Sequence, residues 1–468
     1  MKYKFLILII LLINITTSSS QSTLINPKNL QSRILNYYDQ KLNKTSKLDT
    51  NSYSLSFIKS FYLNTNLPNL ENKNGYYFPK GYGSYSSFRF EYKSKYLFLS
   101  FEPLFSNIIS YEIEVPEKNN QFSVLNDAQS LTRLSTFQNT GLIFQYLGFS
   151  FGFGNWNNWW GPGIHNSLVM TNNSEGFYNY FIGTSDYIKL LENLYINARY
   201  SVSKEFTSNL GQNYFLSGLF LDIKYKIFNF GYSKSILSGG YPDLSWSFED
   251  AFWTLFNNNN NKYWDTIDDY YISAIFPDAN LEIFLEIGVP SRSYGNNKPS
   301  IYSNHGTASN IGFRKKNIFG SKSLLFGVEY TRLVQSIYYN IIPSPNWYDN
   351  IKYNYSSFKG RRWSAHSGSD SDDLLIFFGY IDYNKSLIYG VNYERHGVNF
   401  HFPPEVKLES RWSANYTHQK IIISLYYENE YFEHYGFVDN SENVWNKTFE
   451  QGSIQKTKTI LFSLGFNI

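Results

Sequence analysis

Alternation of apolar and polar side chains is the main pattern along this chain. The stretch LEIFLEI, residues 281–287, has four aliphatic side chains at alternate positions, and Glu282 and Glu286 lie between them. Successive side chains of a β-strand point to opposite faces, so this pattern predicts a strand with one apolar and one polar face. The same alternation recurs in 194–202, 387–395 and 408–418.

Segments of this kind predict about eighteen strands. Their expected ranges are 85–92, 96–102, 109–115, 140–146, 149–155, 177–187, 194–203, 214–224, 227–234, 268–276, 280–288, 306–316, 321–332, 374–383, 386–395, 408–418, 420–430 and 456–466.

Connection lengths separate two possible β folds. A soluble sandwich also alternates, but in this assignment all connections after even-numbered strands are tight, and the long ones all follow odd-numbered strands. Outer-membrane barrels have short periplasmic turns and long external loops. We therefore predict an all-β transmembrane outer-membrane β-barrel of about 18 antiparallel strands across residues 81–468, with long external loops.

The first eighty residues lack this strand pattern. Lys2 and Lys4 precede an apolar run at 5–13 that is too short to span a bilayer as a helix, so residues 1–20 are predicted to be a signal peptide. Apolar positions in 30–47 recur near a 3.6-residue period, which predicts a helix. Residues 21–80 are therefore expected to form a periplasmic, partly helical segment before the barrel, where it could cap or plug the mouth.

Composition agrees with a membrane location. Aromatic residues make up 20% of the 468 residues, and Tyr and Trp suit membrane interfaces. The chain has no cysteine, which excludes disulfides and thiolate metal sites. A net charge of only +3 provides no basis for nucleic-acid binding. These features predict the outer membrane of a Gram-negative-type bacterium, with membrane lipid around the barrel.

The most unusual segment follows the fifth predicted strand. Three tryptophans and a Gly-Pro-Gly sequence stand on a backbone that is neither helix nor regular strand. Either the loop folds inward and plugs its own barrel, or its indoles form a platform for sugar rings while nearby amides bind their hydroxyls. The candidate residues are Trp156, Trp159, Trp160, Gly161, Pro162, Gly163, Asn166, Asn172 and Asn173.

A second candidate set lies on the polar faces of predicted strands. These residues could fill the lumen with salt bridges and hydrogen bonds, or they could line a channel. The mixture of charge signs favours the first interpretation. The predicted lumen residues are Arg199, Glu282, Glu286, Glu329, Glu394 and Arg411.

No standard catalytic motif is present. The chain has no GxSxG, HExxH or P-loop sequence, so we predict no catalytic residues, no cofactor and no enzymatic activity. His396 and His401 are interpreted as solvent-facing polar residues, and Ser369–Asp373 as a solvated turn that lacks the spaced oxygens of a calcium loop. No metal site is expected.

The tryptophan segment also carries a family resemblance. The sequence NWWGPGIHNSLVMTNN, residues 158–173, resembles the signature segment of the capsule assembly Wzi family, and 98–105, 326–333 and 390–400 fit more loosely. The resemblance implies an eighteen-stranded outer-membrane barrel with a helical periplasmic segment. It also implies a lectin-like, non-enzymatic protein that binds, retains or organises capsular or other surface polysaccharide.

Partners and alternatives follow from the same reasoning. We expect a monomer, with polysaccharide export machinery as a further partner to consider. A passive outer-membrane porin or channel is the main alternative function, because it would share the fold. An outer-membrane lipid hydrolase is a weaker alternative, since it would need a serine paired with a histidine.

Overall fold

Long strands make up most of the described chain in this computed structural model. It describes residues 51–68, 71–113, 135–208, 210–240, 265–290, 307–333, 347–348, 350–399, 403–437 and 454–467. The predicted signal peptide and helix lie outside the described residues. The strands are β1 Ser52–Asn64, β2 Gly81–Lys93, β3 Leu97–Ser110, β4 Ser135–Tyr146, β5 Phe149–Gly154, β6 Asn179–Thr184, β7 Ile188–Leu191, β8 Leu194–Thr207, β9 Asn213–Tyr225, β10 Phe228–Gly239, β11 Asp265–Phe276, β12 Leu281–Pro290, β13 Ala308–Ile318, β14 Ser321–Arg332, β15 Ser357–Phe358, β16 Arg361–Arg362, β17 Ser371–Ile381, β18 Lys385–His396, β19 Glu405–His418, β20 Ile421–Glu433 and β21 Gln455–Asn467.

The wall closes into a barrel because the first and last strands pair. Ser56–Asn64 of β1 runs antiparallel to Thr459–Asn467 of β21, and the other wall strands pair antiparallel with their neighbours. Strands β6 and β7 both pair with β8, so they form one interrupted wall strand, whereas β15 and β16 form a separate hairpin. The described wall therefore has 18 strands, which confirms the predicted fold class.

The predicted strand number is correct although two assignments were wrong. Ser52–Asn64 is a wall strand rather than part of a periplasmic segment, so the barrel begins before residue 81. The inward side of β1 carries Tyr62 as well as polar groups, which weakens its alternation. The strand predicted at 96–102 continues to Ser110 as β3, in which Pro103 and a register shift near Glu102 resemble a break. Of the separate strand predicted at 109–115, residues 109–110 belong to β3, 111–113 are not strand, and 114–115 lie outside the described residues.

The two ends of the barrel differ in their connections. At one end, the short-turn end, each connection has two to four residues. The other end, the long-loop end, carries the long connections 65–80, 111–134, 155–178, 240–264, 291–307, 333–370 and 434–454. Residues 65–80 join β1 to β2 at the long-loop end, so their predicted place beside the periplasmic turns is wrong.

The two faces of the wall have opposite chemistry. Exposed side chains on the outer face are largely aromatic or aliphatic, as at Phe151, Phe378 and Leu425, whereas carboxylates such as Glu286 and Glu409 are buried on the inner face. A water-soluble protein has the reverse arrangement, and a barrel in lipid requires this one. Among the described residues, no helix has the length and apolar character needed to cross a bilayer.

A charge on the outer face tests this orientation. Leu425 lies near the middle of β20 and is 49% exposed. We expect Leu425→Arg to lower the free energy of unfolding by about 2–4 kcal/mol in lipid vesicles, because the guanidinium must leave water for the bilayer core. The measurement is reversible denaturation in vesicles. Tyr383→Arg, at a fully exposed turn, is the control and should change stability by at most about 0.5 kcal/mol. Equal losses in both variants would contradict the orientation.

Candidate functional site

The tryptophan-rich connection 155–178, here called the plug segment, folds into the barrel. Trp156 and Trp160 are 4% and 2% exposed, and Trp159 is half-buried. The indole Nε1 of Trp156 donates to the Ser100 hydroxyl oxygen of β3 at 2.9 Å. The ring of Trp160 stacks on Phe220 of β9, with ring centroids 5.9 Å apart. The indoles of Trp156 and Trp160 thus contact the barrel wall and do not present an open platform.

The Gly-Pro-Gly sequence allows a tight turn within the plug segment. Gly161 has a φ of +150°, which side chains rarely permit. A Cβ atom on Gly163 would lie 2.1 Å from the Asn166 carbonyl oxygen. The Trp160 N–H donates to the Met170 carbonyl at 3.1 Å and closes the loop. The Trp159 indole N–H donates to the Gly163 carbonyl at 2.7 Å. Pro162 lies between the two glycines, partly exposed.

Glu329 of β14 binds the backbone of the plug segment directly. Its carboxylate accepts the N–H groups of Ile164 at 2.7 Å, His165 at 3.1 Å and Asn166 at 2.7 Å. Consecutive N–H groups around one anion form a nest, and each charge-assisted bond is stronger than a neutral one. This carboxylate therefore fixes the irregular backbone after the Gly-Pro-Gly turn.

Glu286 of β12 provides a second anchor. Its carboxylate accepts the Leu168 N–H at 2.8 Å and the Ser167 hydroxyl at 3.2 Å. The Asn310 amide nitrogen bridges this carboxylate and the Asn166 carbonyl, at 3.1 and 3.0 Å. The plug segment thus binds three adjacent wall strands through buried polar groups.

Two wall arginines, on β13 and β8, also bind the plug segment. Arg314 donates to the Pro162 carbonyl at 2.9 Å and to the Glu282 carboxylate at 2.8 Å. Arg199 donates to the Asn158 side-chain oxygen at 2.9 Å. The structure buries all six predicted lumen residues on the inner face of the wall, namely Arg199, Glu282, Glu286, Glu329, Glu394 and Arg411.

The paired amides of the plug segment bind a second loop. The Asn74 N–H donates to the Asn172 carbonyl at 3.0 Å, and the Asn72 N–H donates to the Asn173 side-chain oxygen at 3.1 Å. Asn72 and Asn74 both have positive φ, which asparagine tolerates better than most residues. Asn172 and Asn173, predicted as sugar ligands or plug residues, here bind peptide groups of residues 71–80.

A third loop, 350–370, completes the plug. The Thr171 N–H donates to the Trp363 carbonyl at 2.6 Å, and the Asn173 amide donates to the Arg362 carbonyl at 3.0 Å. Arg361 in turn donates to the carbonyls of Asn74 and Tyr76, at 2.5 and 2.6 Å. Burial lowers the pKa of the Arg362 guanidinium to about 10. The three loops therefore hold one another in the lumen.

A group of buried charges connects the plug to β17–β20. We call it the charged cluster. Lys407 has ion pairs with Glu71, Glu409 at 3.1 Å and Glu430 at 3.5 Å, and Arg411 lies 3.2 Å from Glu409. The cluster comprises Glu71, Lys73, His165, His366, Asp373, Glu394, His396, Glu405, Lys407, Glu409, Arg411, Glu428 and Glu430.

Two loop residues of the charged cluster have shifted pKa values. Burial disfavours the imidazolium of His366, but the carboxylates of Glu71, Glu394 and Asp373 outweigh it and raise its pKa to about 10. Burial lowers the pKa of Lys73, and Glu428 opposes that effect. The fold therefore places opposing charges close together at the centre of the plug.

Two of the smaller predictions were wrong. Ser369–Asp373 is buried rather than a solvated turn, and the Asn166 amide donates to the Asp373 carboxylate at 2.7 Å. His396 is not solvent-facing, because its ring nitrogens lie 3.0 Å from Glu394 and 2.9 Å from Glu405. His401 lies outside the described residues. Sequence reasoning also missed His165 and His366, although His165 lies inside the signature segment.

Comparisons with known proteins give a fold likeness alone. No protein-family model matches the sequence, and no curated protein matches it. A solved structure of Wzi from Escherichia coli aligns over 95% of this chain and 89% of its own, with a TM-score of 0.60 and 11% identity. The chain has a fold similar to that of Wzi. That protein is described as an outer membrane protein involved in group 1 capsule assembly and as a carbohydrate-binding β-barrel.

A second solved structure, OpdO from Pseudomonas aeruginosa, aligns less closely. It covers 90% of this chain and 98% of its own, with a TM-score of 0.50 and 8% identity. The two structural alignments indicate a shared barrel architecture. At identities this low, they do not assign functional residues to this chain.

Packing of the plug against the wall can be tested at a glycine. A Cβ atom on Gly218 of β9 would lie 2.3 Å from the Trp160 ring, whereas one on Gly465 of β21 would meet its nearest neighbour at 3.3 Å. We expect Gly218→Ala to lower the free energy of unfolding by about 1–3 kcal/mol, because the indole must move. Gly465→Ala is the control, with a loss below about 1 kcal/mol. Chemical denaturation monitored by tryptophan fluorescence measures both, and equal effects would contradict the packing.

Proposed function

We propose that this chain is a non-enzymatic outer-membrane barrel that retains or organises capsular or other surface polysaccharide at the cell surface. Its lumen is occupied by its own loops, so the barrel serves as a rigid support rather than as a passage. The long-loop end would face outward and the short-turn end the periplasm, as in outer-membrane barrels generally.

The observation that carries this proposal is the anchoring of the plug segment to opposite sides of the wall. Trp156 is bonded to β3, Asn158 to β8, Ser167 and Leu168 to β12, and Asn166 to β17. A segment fixed across the lumen leaves little room for solute diffusion. The fold similarity to Wzi, described as carbohydrate-binding, supports polysaccharide as the ligand class.

The plug residues have a supporting role in this proposal. The indoles of Trp156 and Trp160 are buried, and the side-chain amides of Asn166, Asn172 and Asn173 bond to peptide or carboxylate groups. We infer that they hold the loops of the long-loop end in a fixed arrangement, and that polysaccharide contacts the outer surface of those loops. A fixed surface loses less entropy on binding than a mobile one.

The remaining partners are proposals of the same kind. The apolar outer face would contact outer-membrane lipid, the protein would act as a monomer, and polysaccharide export machinery would be a candidate partner at the periplasmic side.

A passive porin is the second candidate function, because 18 strands enclose a wide, polar lumen. The buried plug contacts weigh against it. A lipid hydrolase has less support, because the Nε2 atom of His366 and both ring nitrogens of His396 face carboxylates, and the Nδ1 atom of His366 faces the Asn72 amide.

Deletion of the gene in the native host tests this function. We expect surface polysaccharide to appear in the growth medium while the total amount synthesised stays unchanged, because synthesis does not need a surface support. The measurement is the ratio of cell-bound to released polysaccharide. Complementation with the wild-type chain or with Tyr383→Arg should restore the cell-bound fraction. An unchanged ratio in the deletion strain would contradict the proposal.

A further inference from the structure

Four potential metal ligands converge inside the charged cluster. His165 comes from the plug segment, His366 from the third loop, Asp373 from β17 and Glu394 from β18. All four residues are buried, and their potential ligand atoms lie within 4.8 Å of one another. Two imidazoles and two carboxylates from separate elements thus meet at one point.

Three of the six distances between these atoms are close to those of a tetrahedral coordination shell. The His366 Nε2 atom lies 3.0 Å from a Glu394 oxygen and 3.2 Å from the Asp373 Oδ2 atom. The His165 Nε2 atom lies 3.2 Å from the same Asp373 oxygen. Tetrahedral Zn²⁺ with nitrogen and oxygen ligands at about 2.0–2.1 Å separates those ligands by about 3.3 Å. The remaining pairs of ligand atoms lie within 4.8 Å, so the four side chains would surround an ion after shifts of at most about 1.5 Å in these separations.

Unbonded polar atoms point to the same place. His165 is 1% exposed, and its Nε2 atom makes no well-aligned hydrogen bond among the described residues, although it lies 3.2 Å from the Asp373 Oδ2 atom. The Oδ1 atom of Asp373 is likewise buried without a hydrogen-bond partner among them. Burial of polar atoms without well-aligned hydrogen bonds costs free energy, so a cation bound at this point would remove that cost.

The charge balance of the charged cluster also favours a cation. Its described carboxylates outnumber its lysines and arginines by seven to three. With all seven carboxylates ionised and His366 and His396 both protonated, an excess of two negative charges remains. A buried divalent cation would compensate it.

We propose that His165, His366, Asp373 and Glu394 bind a structural divalent transition-metal ion, with Zn²⁺ as the best match. Imidazole nitrogens favour zinc and its neighbours, whereas Ca²⁺ and Mg²⁺ prefer shells made entirely of oxygen. Four protein ligands with no open position are typical of a structural zinc site. The ion would join two loops of the plug to two wall strands. This inference is independent of the polysaccharide proposal.

The metal-bound and metal-free states differ in the partners of two side chains. In the structure, Arg411 donates to the His165 Nδ1 atom at 3.1 Å, which leaves the proton on Nε2, facing Asp373. A metal on Nε2 places the proton on Nδ1, so Arg411 must turn toward Glu409, which it already contacts. Metal binding would also displace any proton from His366. The competing account is that hydrogen bonds between the imidazoles and the carboxylates hold the four side chains together without a metal ion.

Metal analysis of the full-length protein distinguishes these accounts. The protein is extracted in detergent, loaded with Zn²⁺ and dialysed against metal-free buffer, and bound metal is measured by mass spectrometry. We expect about one zinc per chain, and X-ray absorption should show histidine nitrogens in its shell at about 2.0–2.1 Å. A wild-type content below one tenth per chain, or a zinc shell without histidine, would overturn the proposal.

Variants locate the site. His165→Gln and Asp373→Asn keep the approximate size of each side chain and should retain less than one tenth of the wild-type zinc. His418→Gln, which changes an exposed imidazole on β19, should keep it. If either cluster variant retains the full content, the assigned ligands are wrong. If both variants fail to fold, the wild-type protein is loaded with Co²⁺ instead. Tetrahedral Co²⁺ with imidazole ligands absorbs strongly in the visible range, so we expect that absorption. A spectrum of hydrated Co²⁺ would overturn the proposal.

Discussion

Backbone N–H groups of an irregular segment inside a barrel need partners, and buried carboxylates on the wall provide them. Glu329 accepts three consecutive N–H groups of the plug segment, and Glu286 accepts one more together with the Ser167 hydroxyl. Neither the wall carboxylates nor the N–H groups of the plug segment would be stable if buried without the other, because both then carry large desolvation costs. This mutual dependence anchors the plug segment inside the barrel.

The other features of the plug serve the same contacts. The Gly161-Pro162-Gly163 turn brings the backbone close enough to Arg314 and Glu329 for direct bonding, and a side chain at Gly163 would prevent it. Trp160 fills the space beside Gly218, where the wall has no side chain. In the proposed function, the anchored plug would be a suitable base for loops that hold a large polymer outside the cell, since a firm base keeps a binding surface fixed.

The sequence predicted the strands of the barrel wall better than the contacts of the loops inside the lumen. Period-two alternation and the alternation of connection lengths follow from local rules, so they predicted the barrel and the correct end for the tryptophan loop. Strand β1 was missed because Tyr62 faces inward, and β3 was divided because Pro103 resembles a strand end. Contacts of Asn72 and His366 with the plug segment, and of Arg361 with Asn74, join residues far apart in sequence, and no local pattern indicates such pairs.

Electrical recording from the purified wild-type protein in a planar bilayer tests the closed lumen most directly. If the plug fills the barrel, the protein adds no steady conductance beyond that of the lipid alone. Replacement of residues 157–173 by a short Gly-Ser linker removes the segment bound by Glu286 and Glu329 and should produce a measurable conductance. A large, steady conductance from the wild-type chain would contradict the account, because it would mean that ions pass through a lumen that the plug segment does not close.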